Sequence, residues 1–227
     1  MIKVIKNGTV VTMDDSRSRK YEKLDIVIDG DAIAALTSNY EGNYDEVIDA
    51  SGKIVMPGLI NAHTHLGMSI FRATNDNLSL NDWLTKKIWP IEDKLTNEDI
   101  YYSTLLSAIE MIKSGTVMSN DMYFNCDGSL KALRETKVRC LFGRCLMDND
   151  EDGDNRIADF KRLYEENKDN ELIKFAIAPH AFYTCSKEYL KECSDLALQY
   201  NLPFHIHFSE NENEVQQIRK LYGKDPV

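Results

Sequence analysis

The sequence has no apolar run approaching the roughly eighteen residues of a membrane-crossing helix. Its start, MIKVIKNGTVVTMDDS, has no unbroken apolar core followed by a small-residue cleavage site. Neither a membrane span nor an export signal is expected, and the chain reads as soluble and cytoplasmic. Positive charge is also short: 27 Lys and Arg stand against 37 Asp and Glu, a formal net charge of -10. Such a chain repels phosphate backbones and anionic lipid surfaces, which argues against nucleic acid or membrane as a partner. Cysteine is sparse, and Cys126, Cys140, Cys145, Cys185 and Cys193 are odd in number with no C-x-x-C pair. Neither a disulfide framework nor a zinc ribbon is supported, and reduced thiols are expected.

What is present changes texture near residue 57. Before it lie short β-like runs: Val4, Ile5, Val10 and Val11, then Leu24 to Ile28, an Asp29-Gly30 turn and Ala32 to Leu36. A further strand pair is expected around Ser51-Gly52, and Pro57-Gly58 punctuates the end. After Gly58, candidate strands at Leu59 to His63, Thr116 to Met122, Val138 to Gly143, Ile173 to Ala178 and Pro203 to Phe208 alternate with segments of helical period. In the first long helix, from about Glu98 to Ser114, the expected buried stripe is Ile100, Leu105, Ile109 and Ile112, with a cap at Thr96 or Asn97 and a stop at Gly115. Strand then helix, repeated, predicts an α/β unit of parallel strands, either doubly wound or a barrel. No G-x-G-x-x-G turn follows the first strand, which removes the main positive argument for a dinucleotide-binding sheet.

The first of these strands ends in Asn61-Ala62-His63-Thr64-His65. Residues i and i+2 of a strand share a face, so both imidazoles can reach one metal ion. The fifth candidate strand supplies His205-Ile206-His207-Phe208-Ser209-Glu210. There His207 is a natural third nitrogen ligand, Glu210 a carboxylate able to carry protons beside the metal, and His205 a supporting or packing histidine. His180 follows the fourth strand on the same expected rim. Four of only five histidines thus fall at strand carboxyl ends, where barrel active sites sit. The run Asp148, Asp150, Asp152, Gly153 and Asp159 imitates a calcium loop, but it has Asp at the twelfth position and Asn155 where an apolar residue belongs, so a solvated loop is expected. Asp14-Asp15, Glu165-Glu166, Glu212 and Glu214 read as solvated charge.

The string Val55-Met56-Pro57-Gly58-Leu59-Ile60-Asn61-Ala62-His63-Thr64-His65, with His207 and Glu210 downstream, resembles the metal-dependent amidohydrolase superfamily. The resemblance is strongest to its 5'-methylthioadenosine/S-adenosylhomocysteine deaminases and their triazine-hydrolase relatives. It extends through Asn81-Asp82-Trp83-Leu84, Trp89-Pro90-Ile91-Glu92-Asp93, Asp121-Met122-Tyr123-Phe124 and Pro179-His180. The resemblance implies an incomplete (β/α)8 TIM barrel of about five βα units at 58–227, preceded by part of a small β-sandwich at 1–57. It makes His63, His65 and His207 ligands of one divalent metal, zinc by preference, and Glu210 the proton carrier. It assigns Glu92 to ribose hydroxyls, His180 to the purine edge, Arg144 and Arg156 to the carboxylate of a homocysteine tail, and Trp83 to the wall of the adenosine pocket. The implied activity is hydrolytic deamination of a small purine nucleoside derivative with release of ammonia. Hydrolysis of another aminated or halogenated ring, or ligand binding without catalysis, are the alternatives.

The resemblance also calls for a histidine after a sixth strand and an aspartate after an eighth, and neither motif follows. A complete barrel takes about 250 residues, whereas Gly58 to Val227 supplies 170. The expectation is a portion of a longer protein, or a chain whose open strand edge pairs with another copy in a homo-oligomer, with catalysis impaired in the absence of the aspartate.

Overall fold

The computed structural model describes residues 1–17, 20–74 and 77–226. They form two compact units, Met1–Gly58 and Leu59–Val227.

The first unit is one mixed sheet in the order β3-β2-β1-β4, with β5 also on β1. Strands β1 (Ile2–Val11) and β2 (Tyr21–Asp29) pair antiparallel, as do β2 and β3 (Ala32–Thr37). The β2–β3 turn is the expected one, with Gly30 at φ 63°, a backbone state glycine adopts without steric cost. Val10, Leu24 and Ile26 form the core with Ile5, Ile28, Leu36 and Val55 against them. The segment around Ser51-Gly52 is not a hairpin. β4 (Glu46–Asp49) and β5 (Ile54–Val55) both run parallel to β1, along the same edge and on either side of its register shift at Ile5/Gly8. That bulge carries Asn7 at φ 62°. Its backbone N–H donates to the buried Asp25 carboxylate at 3.0 Å, and Asp25 also accepts from the Tyr40 N–H at 2.9 Å. A β-carbon on Gly8 would stand 2.8 Å from a Val55 methyl, so the bulge needs glycine for β5 to dock. The described residues of this unit make a single sheet, with no second layer of a sandwich among them.

The second unit is α/β. Its parallel sheet runs β6 (Leu59–Thr64), β7 (Thr116–Tyr123), β8 (Arg139–Leu146) and β9 (Ile173–Pro179), in sequence order without reversal. Two short helices, α1 (Leu80–Trp83) and α2 (Trp89–Glu92), flank a π-helical turn at Leu84–Ile88 and precede α3 (Asn97–Ser114). Helices α4 (Cys126–Thr136) and α5 (Gly153–Asn167) make the next two crossovers, and α6 (Lys187–Tyr200) and α7 (Glu212–Tyr222) follow β9. The core lies between sheet and helices, with Leu130, Leu133, Phe142, Phe160, Leu163, Ile177 and Cys193 fully covered. Burying each large side chain contributes roughly 1.5–3 kcal/mol.

Two expectations fail here for identifiable reasons. Pro203 to Phe208 is not a strand: it touches β9 by an isolated parallel bridge, Ile177 to Phe204. The bridge is made by Ile177 N–H to Pro203 O and His205 N–H to Ile177 O, both 2.9 Å. The next rung would need an N–H at residue 179, which is proline and has none. His207 N–H turns instead to His180 O at 2.9 Å. In α3 the end signals hold, since Thr96 and Asp99 form a capping box and Gly115 closes the helix at φ 81°. The stripe does not. Ile100 is buried and Leu105 half-buried, but Ile109 and Ile112 are 45% and 53% exposed, while Ser103, Thr104, Ser107 and Ala108 face inward.

Small residues let α3 and α4 approach closely. A β-carbon on Gly128 would stand 2.3 Å from the Asn97 carbonyl oxygen, which is backbone and cannot swing away. Gly128→Ala is expected to lower stability by about 1–3 kcal/mol, read as a drop in the urea midpoint; an unchanged midpoint would refute the tight helix contact.

Candidate metal centre and active site

β6 carries His63 near its carboxyl end, His65 follows directly after its last residue, and the segment after β9 brings His207 to them. Their candidate ligand nitrogens lie within 4.8 Å of one another. Ring centroids are 4.9 Å apart for His63 with His65, 4.9 Å for His63 with His207, and 5.1 Å for His65 with His207. Each ring has one nitrogen committed outward. His65 Nδ1 lies 2.6 Å from Met122 O, His207 Nδ1 lies 2.8 Å from His180 O, and His63 Nδ1 lies 2.9 Å from His205 Nε2. A carbonyl only accepts, so His65 and His207 carry their hydrogen on Nδ1 and leave the Nε2 lone pairs free. Those two Nε2 atoms face each other at 3.2 Å. As neutral rings they are two acceptors and cannot hydrogen-bond, whereas two nitrogens of a tetrahedral site with bonds of about 2.0–2.1 Å sit about 3.3 Å apart. The donor set therefore fits a divalent cation.

The electrostatics agree. Burial pushes His65 down to about 4, against the help of its carbonyl partner, and His207 and His63 push the same way. Burial, followed by the neighbouring imidazoles, takes His205 down to about 4 and His180 to about 3, and lowers His63. These rings are neutral at pH 7, the form that ligates metals.

Buried polar groups fix the ends of the strands. Asp121, fully buried on β7, accepts the Leu66 N–H at 2.8 Å, and burial raises its carboxyl to about 7. From the other side, Ser107 and Ser103 of α3 donate to the carbonyls of Leu66 and Gly67 at 3.1 and 2.9 Å. The inward hydroxyls of α3 thus clamp the peptides that follow His65. Glu210 is exposed and accepts from the Tyr183 hydroxyl at 2.9 Å. Its peptide is held by Glu214, whose carboxylate takes the N–H groups of Ser209 and Glu210 at 3.2 and 2.8 Å. Glu214 is 1% exposed, not the solvated charge expected of it. Its spacing from the cap residue Asn211, N-x-x-E, is the capping-box signal that could have revealed it.

A cavity of about 620 Å³ is lined by Glu92, Arg144 and Arg156, with Trp89, Phe124 and Asp159 among its walls. Glu92 accepts from the Tyr123 hydroxyl at 2.6 Å, and burial raises its carboxyl above the usual range. Arg144 donates from Nε to Asp159 at 3.2 Å and from Nη1 to Cys145 O at 2.6 Å, and its Nη2 makes no hydrogen bond among the described residues. Arg156 forks onto Asp150 with two bonds of 2.6 Å. That pairing, and Asp148 accepting from Ser186, give the calcium-like acidic run a structural role. His180 stands between the cluster and this cavity: its ring is 4.8 Å from His207 and 6.3 Å from Phe124, and its Nδ1 is 2.8 Å from the Thr184 hydroxyl. Trp83 is elsewhere, lining a second cavity of about 720 Å³ together with His65 and donating to Thr74 O at 3.0 Å. Asp121, Tyr123, Tyr183 and Glu214 are the contributors that reading along the sequence did not single out as functional.

Histidines converge at the carboxyl ends of parallel strands, beside a polar cavity, in an α/β unit whose donor set could hold a metal ion. The chain belongs to the amidohydrolase family, whose family model matches residues 54–226. It is 43% identical to the 5-methylthioadenosine/S-adenosylhomocysteine deaminase of Thermoanaerobacter pseudethanolicus over 99% of this chain and 53% of that protein. It is 40% identical to the 5'-deoxyadenosine deaminase of Methanocaldococcus jannaschii over 90% of this chain and 50% of that one. Among solved structures, an adenosine deaminase of Xanthomonas campestris with bound zinc superimposes with a TM-score of 0.89 at 29% identity, covering 99% of this chain and 53% of the other. The chain spans about half the length of the curated relatives it matches. No helix among the described residues is long and apolar enough to cross a membrane.

Two outcomes follow from this geometry. Because the folded state keeps His65, His180 and His205 neutral down to about 4, 3 and 4 while the unfolded chain protonates them near 6.5, the unfolded state binds more protons across that window. Stability of the metal-free protein should fall as pH is lowered from 7 towards 4, the three imidazoles outweighing Asp121, whose raised carboxyl acts in the opposite direction; urea midpoints that stay level or rise over that range would contradict the buried neutral cluster. Glu214→Ala orphans two backbone donors at about 1–3 kcal/mol and should raise hydrogen exchange at residues 209 and 210, with unchanged exchange there as the contrary result.

Proposed function

We propose that this chain carries the metal-binding and substrate-binding groups of a zinc-dependent deaminase of adenosine derivatives, with 5'-methylthioadenosine and S-adenosylhomocysteine as the foremost substrates and ammonia as product. The observation that carries the proposal is the convergence of imidazoles whose Nδ1 positions are all engaged, which for His65 and His207, held by carbonyls, leaves the Nε2 lone pairs over. In this reading the sheet and its helices are the opening units of a (β/α)8 barrel, supported by strand order without a switch point.

His63, His65 and His207 would hold the ion. When bound, a divalent metal supplies the Lewis acidity that makes water nucleophilic at neutral pH. Glu210, exposed and steadied by Tyr183 and Glu214, would carry a proton to a ring nitrogen of the purine. His180 is placed to hydrogen-bond the purine edge, with its Nδ1 tied to Thr184 and Nε2 remaining. Glu92 suits ribose hydroxyls because a carboxylate accepts from both, and Tyr123 holds one of its oxygens in place. Arg144 and Arg156 suit a substrate carboxylate through the guanidinium fork. Arg144 has a free Nη2 for this, whereas Arg156 must share with or give up Asp150.

Ammonia release tests the proposal: chelation should abolish it and zinc should restore it. Arg144→Met should raise KM for S-adenosylhomocysteine about 10- to 100-fold, the worth of a hydrogen bond between charged groups, and leave 5'-methylthioadenosine, which has no carboxylate, nearly unaffected. Equal effects on both substrates, or turnover of a triazine as fast as either, would sink the assignment.

A further inference from the structure

The ligand histidines differ in what holds them. His65 and His207 rest on backbone carbonyls, which fix both ring orientation and tautomer. His63 has no such carbonyl; its Nδ1 meets another imidazole, His205 Nε2, at 2.9 Å with the two rings at 88°. A neutral imidazole has one hydrogen, so this contact exists in two forms. In one, His63 Nδ1–H donates to His205 Nε2, and the His63 Nε2 lone pair points inward. In the other, His205 Nε2–H donates to His63 Nδ1, and His63 carries its hydrogen on Nε2, where it blocks a metal. The tautomer of His205 therefore decides whether His63 is a ligand.

We propose that His205 is a positioning residue for the metal centre: it acts as the neutral acceptor that holds His63 in its Nε2-ligating tautomer. The inference rests on His63, His65 and His207 holding the metal. The ring lies against Gly143 of β8, where a β-carbon would stand in ordinary contact at 3.7 Å from His205 Nδ1; the Ala178 β-carbon, 2.5 Å away, is what requires glycine there. The ring's far nitrogen, Nδ1, which carries the hydrogen when Nε2 accepts, is buried with no hydrogen-bond partner among the described residues, where the ring's one hydrogen bond is the one to His63. An imidazole acceptor also differs from the carboxylate that often supports a ligating histidine, because it fixes the tautomer without adding negative charge beside the ion.

Zinc affinity of the 227-residue chain, measured by competition with a chromogenic chelator, tests this in the parent, His205→Leu and His205→Gln. His205→Leu should weaken zinc binding about 10- to 100-fold, the usual cost of losing an outer partner. His205→Gln, whose amide oxygen can accept at the position of Nε2, should recover most of the affinity. A long-range nitrogen–hydrogen correlation spectrum of the zinc-loaded parent should show His63 protonated on Nδ1, a result that does not depend on any variant folding. Parent and His205→Leu binding zinc equally would overturn the inference while leaving the metal centre standing; His63 found protonated on Nε2 in the zinc-loaded parent would overturn the inference and remove His63 from the ligands. A parent chain that binds no zinc would overturn both.

Discussion

Parallel pairing in register is the constraint on which the second unit depends. Each of β6 to β9 is returned by a helix to the same end of the sheet, so every strand delivers its last side chains to one rim. His63 and His65 leave β6 there, Asp121 and Tyr123 stand near the end of β7, Arg144 near the end of β8, and His180 follows β9. Pro179 then stops the ladder after one bridge and diverts the His207 N–H to His180 O. The same carbonyl receives His207 Nδ1, so the break in pairing ties backbone and ring of one histidine to a single acceptor.

Around that rim the stabilising contacts are polar and buried, which sets them apart from the apolar core beneath. Ser103 and Ser107 satisfy the carbonyls of residues 66 and 67, Asp121 satisfies the N–H of Leu66, and Glu214 satisfies two N–H groups of the loop that carries Glu210. Peptide groups leaving a strand lose their ladder partners and must find others when covered. Here the replacements come from side chains of α3, β7 and α7, which is why the loop segments after β6 and before α7 are held in fixed positions. The arginines follow the same rule: Arg144 is paired with Asp159 and Arg156 with Asp150.

Much of this was legible along the chain, because helix periodicity, caps and strand parity are local. The H-x-H at 63 and 65 announces a shared face by spacing alone, and α3 begins and ends at its sequence signals, Thr96 and Gly115. The buried side of α3 was not legible, since Ile109 and Ile112 advertise a stripe that the structure leaves exposed, while the serines that face inward do so only because carbonyls from the turn after β6 await them. The role of Ser51-Gly52 was hidden for a similar reason: its two flanking segments both answer to the edge of β1 and not to each other.

By itself, then, the sequence determined which residue types exist to do chemistry and roughly where elements start and stop, since those depend on spacing and on backbone preferences of a few neighbours. Only the tertiary structure decided which nitrogen of each histidine is free, which carboxylates are buried, and which arginines are already paired. Those properties are set by groups distant along the chain, such as Met122 O against His65, His205 against His63 and Asp159 against Arg144. A hydrogen bond or a desolvated charge is fixed by what lies within a few ångströms, and the fold alone brings such partners together.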